Sequence, residues 1–305
     1  MEDYPLTLVE FEKRFSTEES CRNYLFQLRW PYGFRCPRCT NQKSWPISTV
    51  QFQCSKCNYQ VSVIAGTIFH GTRYPLAIWF RTIWWVVGQK NGASALGLKR
   101  MLGFSYPTAW AWLHKLRRAM VTPGRNPLSG IVEVDETYIG GKKTGKRGRG
   151  ADGKTLVFIG TEINDSRIGR IRIQRIPDAS GPSLEDAISK NIELGSTIQT
   201  DGWTGYINLS SIGFTHKVVI KDANVGHDLL PSCHRVASLL KRWILGTHQG
   251  AVSQKHLDYY LDEFTFRFNR RTSNHRGKLF MRLLENAVQV EPTSFSKIVN
   301  AQKRK

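Results

Sequence analysis

The chain has 305 residues, 40% of them hydrophobic, and a formal net charge of +20, so it can form a core and has the excess of basic residues typical of proteins that bind a polyanion. Nucleic acid is the expected partner, with an anionic membrane surface as the alternative. The membrane is disfavoured, because the most apolar stretch, Tyr74 to Gln89, contains Arg81 and is too short to cross a bilayer. The N-terminus lacks a basic segment followed by an apolar one, so we expect a cytoplasmic protein without a signal peptide.

Acidic residues are missing from a long stretch in the first half of the chain. Residues 20–132 contain fifteen Lys and Arg residues and no Asp or Glu. A soluble domain that happens to be basic is one explanation of this composition. A surface that lies against phosphates explains it better, so we expect this part of the chain to bind double-stranded DNA.

Four cysteines form two CxxC pairs within the basic stretch. Cys36 and Cys39 make the first pair, and Cys54 and Cys57 make the second, with fourteen residues between the pairs. Two such pairs complete a tetrahedral shell of four thiolates, which suits Zn²⁺. Disulfides are disfavoured in a cytoplasmic chain, and a redox-active CxxC is disfavoured by the duplicated spacing. We predict a zinc ribbon over residues 30–70, with a structural metal because the closed shell leaves no position for water.

A predicted helical module follows the ribbon, over residues 71–121. A break at Gly103 divides its second part into two helices, which together are typical of a helix-turn-helix. This shape alone is weak evidence for DNA binding, but the absence of acidic residues strengthens it. We expect the basic end of the second helix to contact DNA through Lys115, Arg117 and Arg118.

A predicted α/β domain begins after a Pro- and Gly-rich linker at residues 122–130. Three strands are followed by a helix, a strand, a helix and a strand, and long helices come after them. This order is typical of a ribonuclease-H-like domain, in which the first and fourth strands lie side by side. We assign residues 131–290 to this core, residues 291–305 to a basic tail, and residues 1–29 to an N-terminal helical segment.

Two aspartates fall on the two strands that this topology makes neighbours. Asp135 lies in the first strand and Asp201 ends the fourth, so we expect them to meet although 66 residues separate them. Paired carboxylates in a basic protein suggest a site for Mg²⁺ or Mn²⁺ on phosphates. Taken singly, each is also an ordinary strand-end or turn aspartate. The basic loop after the first strand adds Lys142, Lys143 and Arg147 as expected DNA contacts.

A third ligand is expected from the helix that follows the last strand. His234, Ser238 and Lys241 share one face of this helix at positions i, i+4 and i+7. Lys241 is placed to contact a phosphate close to the metal ions. A surface histidine without a metal is the alternative interpretation of His234.

The motifs, taken in order, resemble those of bacterial insertion-sequence transposases that join a zinc ribbon to a DDE-type, ISXO2-like core. They are the CxxC pairs, GTIFHGTRYPLAIWF, the helix-turn-helix, VEVDETYIGG, TDGWTGY, HRVASLLKRW and YLDEFTFRFNRR, and they extend over nearly the whole chain. The resemblance implies that Asp135 and Asp201 are the first two catalytic acids. It implies that Lys241 is the basic residue seven positions after the third ligand, that the four cysteines bind zinc, and that the protein forms a homodimer or larger assembly on DNA.

The third ligand position departs from the family pattern. His234 stands where many relatives have Glu or Asn, and imidazole is a softer ligand that suits Mn²⁺ better than Mg²⁺. Glu263, 62 residues after Asp201, is the competing candidate. We favour His234, because its spacing and its partner Lys241 both fit the pattern.

These features predict a DNA transposase that binds the terminal inverted repeats of an insertion sequence and catalyses metal-dependent strand cleavage and transfer into target DNA. Two other classes remain open. A zinc-ribbon DNA-binding regulator without catalysis would bind its DNA and leave it uncut. A ribonuclease-H-like nuclease would cut DNA and never join the ends.

Overall fold

The computed structural model describes residues 3–48, 50–121, 124–140, 154–165, 167–220, 228–250 and 252–300. The chain divides into two compact units. The first consists of Met1–Thr122 and Thr272–Lys305, and the second of Pro123–Arg271. No helix within the described ranges is both long enough and apolar enough to cross a membrane.

The first unit begins with two helices and a small antiparallel sheet. The helices are α1 (Leu8–Arg14) and α2 (Glu18–Arg29), and each follows a threonine whose hydroxyl caps its first turn. The strands are β1 (Ser44–Pro46), β2 (Gln51–Cys54) and β3 (Gln60–Ser62), paired in that order. This sheet, with the CxxC pairs around it, confirms the predicted ribbon.

Three further helices complete the predicted helical module. They are α3 (Leu76–Gly88), α4 (Ala95–Leu102) and α5 (Tyr106–Ala119). Gly103 ends α4 with a φ of 69°, in the left-handed conformation that glycine adopts without strain. The Ser105 side chain then caps the first turn of α5. Helices α4 and α5 therefore form the predicted helix-turn-helix, with its break at Gly103.

The second unit is a five-stranded sheet with helices on both faces. Its elements in chain order are β4 (Ile131–Ile139), β5 (Thr155–Asn164), β6 (Arg167–Arg175), α6 (Gly181–Asn191), β7 (Thr197–Thr200), β8 (Thr215–Val218), α7 (Pro231–His248) and α8 (Leu257–Asn269). The strand order is β6-β5-β4-β7-β8, with β4 antiparallel to β5 and parallel to β7. The first strand lies between the second and the fourth, which is the predicted ribonuclease-H-like arrangement.

Alternate residues of β4 point to opposite faces of this sheet. Val132 and Val134 lie in the core that α6 covers. Ile139 lies in the core on the other face, which α7 and α8 cover. Because Glu133 and Asp135 alternate in step with Ile139, their side chains leave the face that α7 covers.

The last two helices, α9 (Arg276–Ala287) and α10 (Phe295–Val299), belong to the first unit. Phe280 of α9 packs against the rings of Phe11 and Phe80. This differs from the expectation that the core extends to residue 290 and that residues 291–305 form a tail. Apolar periodicity identifies a helix but does not say which core it joins, so the sequence alone could not place α9.

Candidate functional site

The thiols of the four ribbon cysteines lie together. The Sγ atoms of Cys36, Cys39, Cys54 and Cys57 all lie within 4.8 Å of one another. Cys36 and Cys57 are separated by 3.7 Å between sulfurs, and Cys39 and Cys54 by 3.5 Å. Four thiolates bound at zinc–sulfur distances of about 2.3 Å would stand about 3.8 Å apart, so the spacing fits one zinc ion.

The two CxxC pairs share the same backbone turn. The Thr40 N–H donates to the Cys36 carbonyl at 2.9 Å, and the Asn58 N–H donates to the Cys54 carbonyl at 3.0 Å. Thr40 and Asn58 have positive φ angles of 60° and 54°. The repeated turn shows that each pair is a local unit, which explains why its spacing was visible in the sequence.

The register between β4 and β7 makes Asp135 and Asp201 neighbours. These parallel strands pair with Glu133 opposite Gln199, and continuing that register by two residues sets Asp135 opposite Asp201. Adjacent strands lie about 4.8 Å apart. The two aspartates therefore occupy adjacent positions at the point where β7 ends.

The chain turns sharply after Asp201. Gly202 has a φ of 81°, and a Cβ at this position would lie 2.8 Å from the Val218 side chain, so glycine is required there. The Trp203 N–H donates to Asp201 Oδ1 at 3.1 Å. This hydrogen bond holds the exposed carboxylate next to the end of β7.

Helix α7 brings His234 to Asp135. The Nε2 atom of His234 lies 3.3 Å from Asp135 Oδ2, and its Nδ1 atom is hydrogen-bonded to Asp228 Oδ1. A neutral imidazole that donates from Nδ1 to a carboxylate carries its lone pair on Nε2. The nitrogen that can bind a metal is therefore the one beside Asp135. Sequence reasoning missed Asp228, which lies in an irregular segment and matches no motif.

The pKa of the Asp135 carboxyl is raised to about 6. Burial is the largest cause; the negative charges of Glu136 and Asp201 also raise this pKa, and His234 lowers it. The Lys241 side chain on α7 is open to solvent on one side, and partial desolvation by the neighbouring protein lowers its pKa, although the charge of Asp135 acts in the opposite direction. A carboxyl whose ionisation is disfavoured by burial and by neighbouring negative charges forms part of a site whose charge a cation would neutralise.

The proposed catalytic ligands are less compact than the cysteines. In the part of the chain that the structure describes, the four cysteines are the only group of three or more His, Cys, Asp or Glu side chains with all ligand atoms within 4.8 Å. His234 contacts Asp135 directly. Asp135 and Asp201 are brought side by side by the register of neighbouring strands.

Glu263, the competing third ligand, lies in a different part of the second unit. Its helix α8 packs mainly on β6, which β5 separates from β4. The Glu263 side chain is only 2% exposed and forms an ion pair with Arg267 at 2.8 Å. This location supports His234 rather than Glu263 as the residue that joins the two aspartates.

Of the three α5 residues expected to contact DNA, one is buried and two are half-buried. Arg117 is 2% exposed, and Lys115 and Arg118 are half-buried, because α5 packs against α4, α9 and α10. Burial also lowers the pKa of Lys115. A buried guanidinium does not reach a DNA phosphate, so the expectation for Arg117 is corrected. The other three expected contacts, Lys142, Lys143 and Arg147, lie outside the described residues.

The exposed end of the helix-turn-helix is the opposite end of α5. Lys99 and Arg100 are exposed near the end of α4, and Tyr106 is 50% exposed at the first position of α5. In helix-turn-helix proteins the first residues of the second helix contact base edges. The sequence favoured the C-terminal end of α5, because most of its cations are there. The packing of other helices over that end is not visible in the sequence.

Two parts of the chain match domains of known protein families. Residues 16–60 match the transposase zinc-ribbon domain, and residues 127–269 match the ISXO2-like transposase domain. An uncharacterised protein in transposable element ISH50 of Halobacterium salinarum is 27% identical over 278 residues. The aligned region covers 84% of this chain and 92% of the relative.

Two solved structures resemble the chain more distantly. The catalytic core domain of BIV integrase has a TM-score of 0.29 and 16% identity, covering 46% of this chain and 82% of that one. A pre-cleavage Mos1 transpososome has a TM-score of 0.26 and 12% identity, covering 74% and 79%. The fold assignment rests on the sheet order rather than on these scores. These matches confirm the resemblance that the motifs indicate: the chain joins a region that matches the transposase zinc-ribbon domain to a region that matches the ISXO2-like transposase domain.

Proposed function

We propose that this transposase binds the terminal inverted repeats of an insertion sequence, cleaves a strand at the element's end and joins the freed 3′ end to target DNA. One observation carries the proposal: His234 Nε2 lies beside Asp135, and Asp135 occupies the strand position next to Asp201. Two carboxylates and one imidazole are a donor set that accepts Mn²⁺ and, less readily, Mg²⁺.

Divalent ions bound by Asp135, Asp201 and His234 would activate the attacking oxygen and stabilise charge on the entering and leaving oxygens. In cleavage, a water oxygen bonds to phosphorus and the bond from phosphorus to the 3′ oxygen breaks, which leaves a 3′ hydroxyl. In strand transfer, that hydroxyl attacks a target phosphodiester and displaces the target's own 3′ oxygen. Strand transfer exchanges one phosphodiester for another, so it needs no nucleotide cofactor.

Side chains of the second unit orient the groups around this site. Asp228 accepts the Nδ1–H of His234 and so keeps the Nε2 lone pair next to Asp135. Lys241 is exposed two turns further along α7, where its ammonium can contact a DNA phosphate as a point charge.

The proposed zinc ion holds the ribbon together. Cys36, Cys39, Cys54 and Cys57 have the sulfur spacing that one tetrahedral zinc requires. Four thiolates close the shell, so this metal contributes folding free energy and takes no part in the reaction.

The first unit is proposed to hold the terminal repeats. Lys99 and Arg100 would contact phosphates and Tyr106 would reach base edges, since all three are exposed at the end of the helix-turn-helix that usually enters the major groove. Phosphate contacts release counterions, so the affinity should fall steeply with salt. Pairing two DNA ends requires at least two protomers, and we therefore propose a dimer or larger assembly on DNA.

The test is a strand-transfer assay with DNA that carries the element's own ends, the full chain, and Mg²⁺ or Mn²⁺. The wild type should cleave and join, while Asp135→Asn should bind the ends normally and give neither product. Asp186→Asn is the matched control, because Asp186 is an exposed aspartate on α6. Wild-type binding without cleavage would support the regulator instead, and cleavage without joining would support the nuclease.

A further inference from the structure

Glu133 accepts three hydrogen bonds from the start of α7. Its Oε2 atom accepts from the N–H groups of Ser232 and Cys233 at 2.9 and 3.0 Å, and its Oε1 atom accepts from the Ser232 hydroxyl at 3.0 Å. Glu133 is only 6% exposed. Water therefore competes little for the carboxylate, and losing it would leave the buried Cys233 N–H and the half-buried Ser232 donors without their acceptor.

Helix α7 has no capping side chain of its own. Its N-cap residue is Leu230, which offers no hydrogen-bond acceptor in its side chain, and Pro231 is the first helical residue. The first N–H groups of a helix need acceptors from outside the helix. A carboxylate at this end also interacts favourably with the helix dipole. Strand β4 thus supplies, through Glu133, the cap that the local sequence lacks.

This cap sets where His234 lies relative to Asp135. Glu133 and Asp135 are two residues apart on β4, so their side chains leave the same face of the sheet. His234 directly follows Cys233, the second capped residue, and its Nε2 lies 3.3 Å from Asp135 Oδ2. Strand β4 therefore carries one proposed metal ligand, Asp135. It also carries Glu133, which holds the helix that bears a second ligand, His234.

We propose that Glu133 is a positioning residue of the metal site, which fixes the first turn of α7 so that His234 Nε2 faces Asp135. This inference rests on the proposed function, because it concerns the ligands of that site. The role assigned to Glu133 is to hold α7 rather than to bind the metal, because its buried carboxylate oxygens both accept hydrogen bonds from this helix. Its place in the sequence, an acidic residue between Val132 and Val134 on a largely buried strand, is the signal that identifies it.

Two substitutions separate hydrogen bonding from charge and volume. Glu133→Gln keeps a carbonyl oxygen for both N–H groups and an amide that can donate to the Ser232 hydroxyl. Glu133→Met fills a similar volume without an acceptor. Glu162→Met is the matched control, because Glu162 is another buried strand carboxylate of the same sheet, which accepts from the backbone N–H groups of Ser129 and Arg170 rather than from α7.

Hydrogen exchange of the full-length, metal-free protein is the first measurement. Glu133→Met should accelerate exchange of the Ser232 and Cys233 amides by about tenfold or more, which corresponds to the loss of one buried hydrogen bond each. Glu133→Gln and Glu162→Met should leave these two amides within about threefold of the wild-type rate.

Titration with Mn²⁺, followed by electron paramagnetic resonance, is the second measurement. Glu133→Met should weaken binding about 10- to 100-fold, the usual effect of losing a group that orients a metal ligand. Glu133→Gln should restore most of the affinity, and raising the Mn²⁺ concentration should restore cleavage by Glu133→Met.

Wild-type exchange and wild-type Mn²⁺ affinity in Glu133→Met would overturn the role of Glu133. So would an equal loss in Glu162→Met, because general destabilisation would then explain both variants. Asp135→Asn tests the proposed function separately. If Asp135→Asn binds Mn²⁺ as tightly as the wild type, the metal site itself is wrong. If it loses the ion while Glu133→Met keeps it, only the role of Glu133 fails.

Discussion

The two proposed metal sites of this protein are built in opposite ways. The ribbon cysteines come from two local turns of the same shape and bring all four sulfurs within 4.8 Å. The proposed catalytic ligands come from a strand, the end of a second strand and a helix, and they meet only through sheet register and the cap on α7. A closed shell suits a metal that stabilises a fold, whereas an open site can admit DNA. The first site should therefore fail by unfolding, and the second by loss of chemistry.

The largest effect is expected from Cys39→Ser in the ribbon. Zinc binding contributes on the order of 10 kcal/mol to the folding of such small metal sites, so this variant should lose its zinc, unfold the ribbon and lose DNA binding while the second unit stays folded. Metal analysis and limited proteolysis measure the outcome. Lys56→Ala, an exposed residue between two ligands, should keep about one zinc per chain. A protease-resistant, zinc-loaded ribbon in Cys39→Ser would contradict the proposed site.

Removing a catalytic ligand should leave folding and DNA binding intact and abolish chemistry. Asp201→Ala should lower cleavage and joining by about 10³-fold or more, because a metal ligand supports several kcal/mol of transition-state stabilisation. A gel-shift titration with the element's ends should give wild-type affinity.

The competing ligand is tested in the same assay. His234→Ala should lose activity as Asp201→Ala does, and Glu263→Gln should keep measurable activity, because Glu263 is buried in an ion pair with Arg267. The reverse result, an active His234→Ala and an inactive but folded Glu263→Gln, would make Glu263 the third ligand.

The stability of the metal-free second unit should depend on pH through Asp135. Its pKa is raised to about 6 in the folded protein from 3.8, so the unfolded chain loses this proton first and stability falls as pH rises from about 4 to about 6. Asp135→Asn should therefore be more stable than the wild type at neutral pH, by on the order of 2 kcal/mol. Urea unfolding at several pH values measures this.

Two controls show whether the charge of Asp135 is the source of this gain in stability. The gain in stability from Asp135→Asn should vanish below about pH 4, where the Asp135 carboxyl becomes protonated in both the folded and the unfolded wild type. Asp186→Asn, whose side chain is 58% exposed and pairs with Lys190, should change stability by only a few tenths of a kcal/mol. A gain that persists at low pH would show that burial of the Asp135 charge is not its source.

The smallest effect is expected at the link between the two aspartate-bearing segments. The Tyr206 hydroxyl donates to Glu136 Oε2 at 2.6 Å, which ties the turn after Asp201 to the strand of Asp135. Tyr206→Phe should cost about 1 kcal/mol in urea unfolding. Tyr138→Phe is the control, because the Tyr138 hydroxyl has no hydrogen-bond partner among the described residues, and it should cost less than about 0.5 kcal/mol. Equal costs would show that the bond to Glu136 does not stabilise the fold.

The sequence revealed the parts of the two sites that depend on local spacing or on strand order. The ribbon followed from its CxxC pairs, and the adjacency of Asp135 and Asp201 followed from the order of the elements. The cap by Glu133 did not, because it depends on which helix end lies over which strand. The bond from His234 to Asp228 did not, because Asp228 lies in an irregular segment without a recognisable motif. The burial of Arg117 was missed for the same reason: composition shows a cation but not the helices that cover it.

The central claim is that His234 binds the same divalent ion as Asp135 and Asp201. Electron spin-echo spectroscopy of Mn²⁺ bound to the full chain, with histidine labelled with ¹⁵N, detects a directly bound histidine nitrogen. We expect a ¹⁵N coupling in the wild type that disappears in His234→Gln and remains in Glu263→Gln. A wild-type Mn²⁺ site without that coupling, or a coupling that persists in His234→Gln, would contradict it.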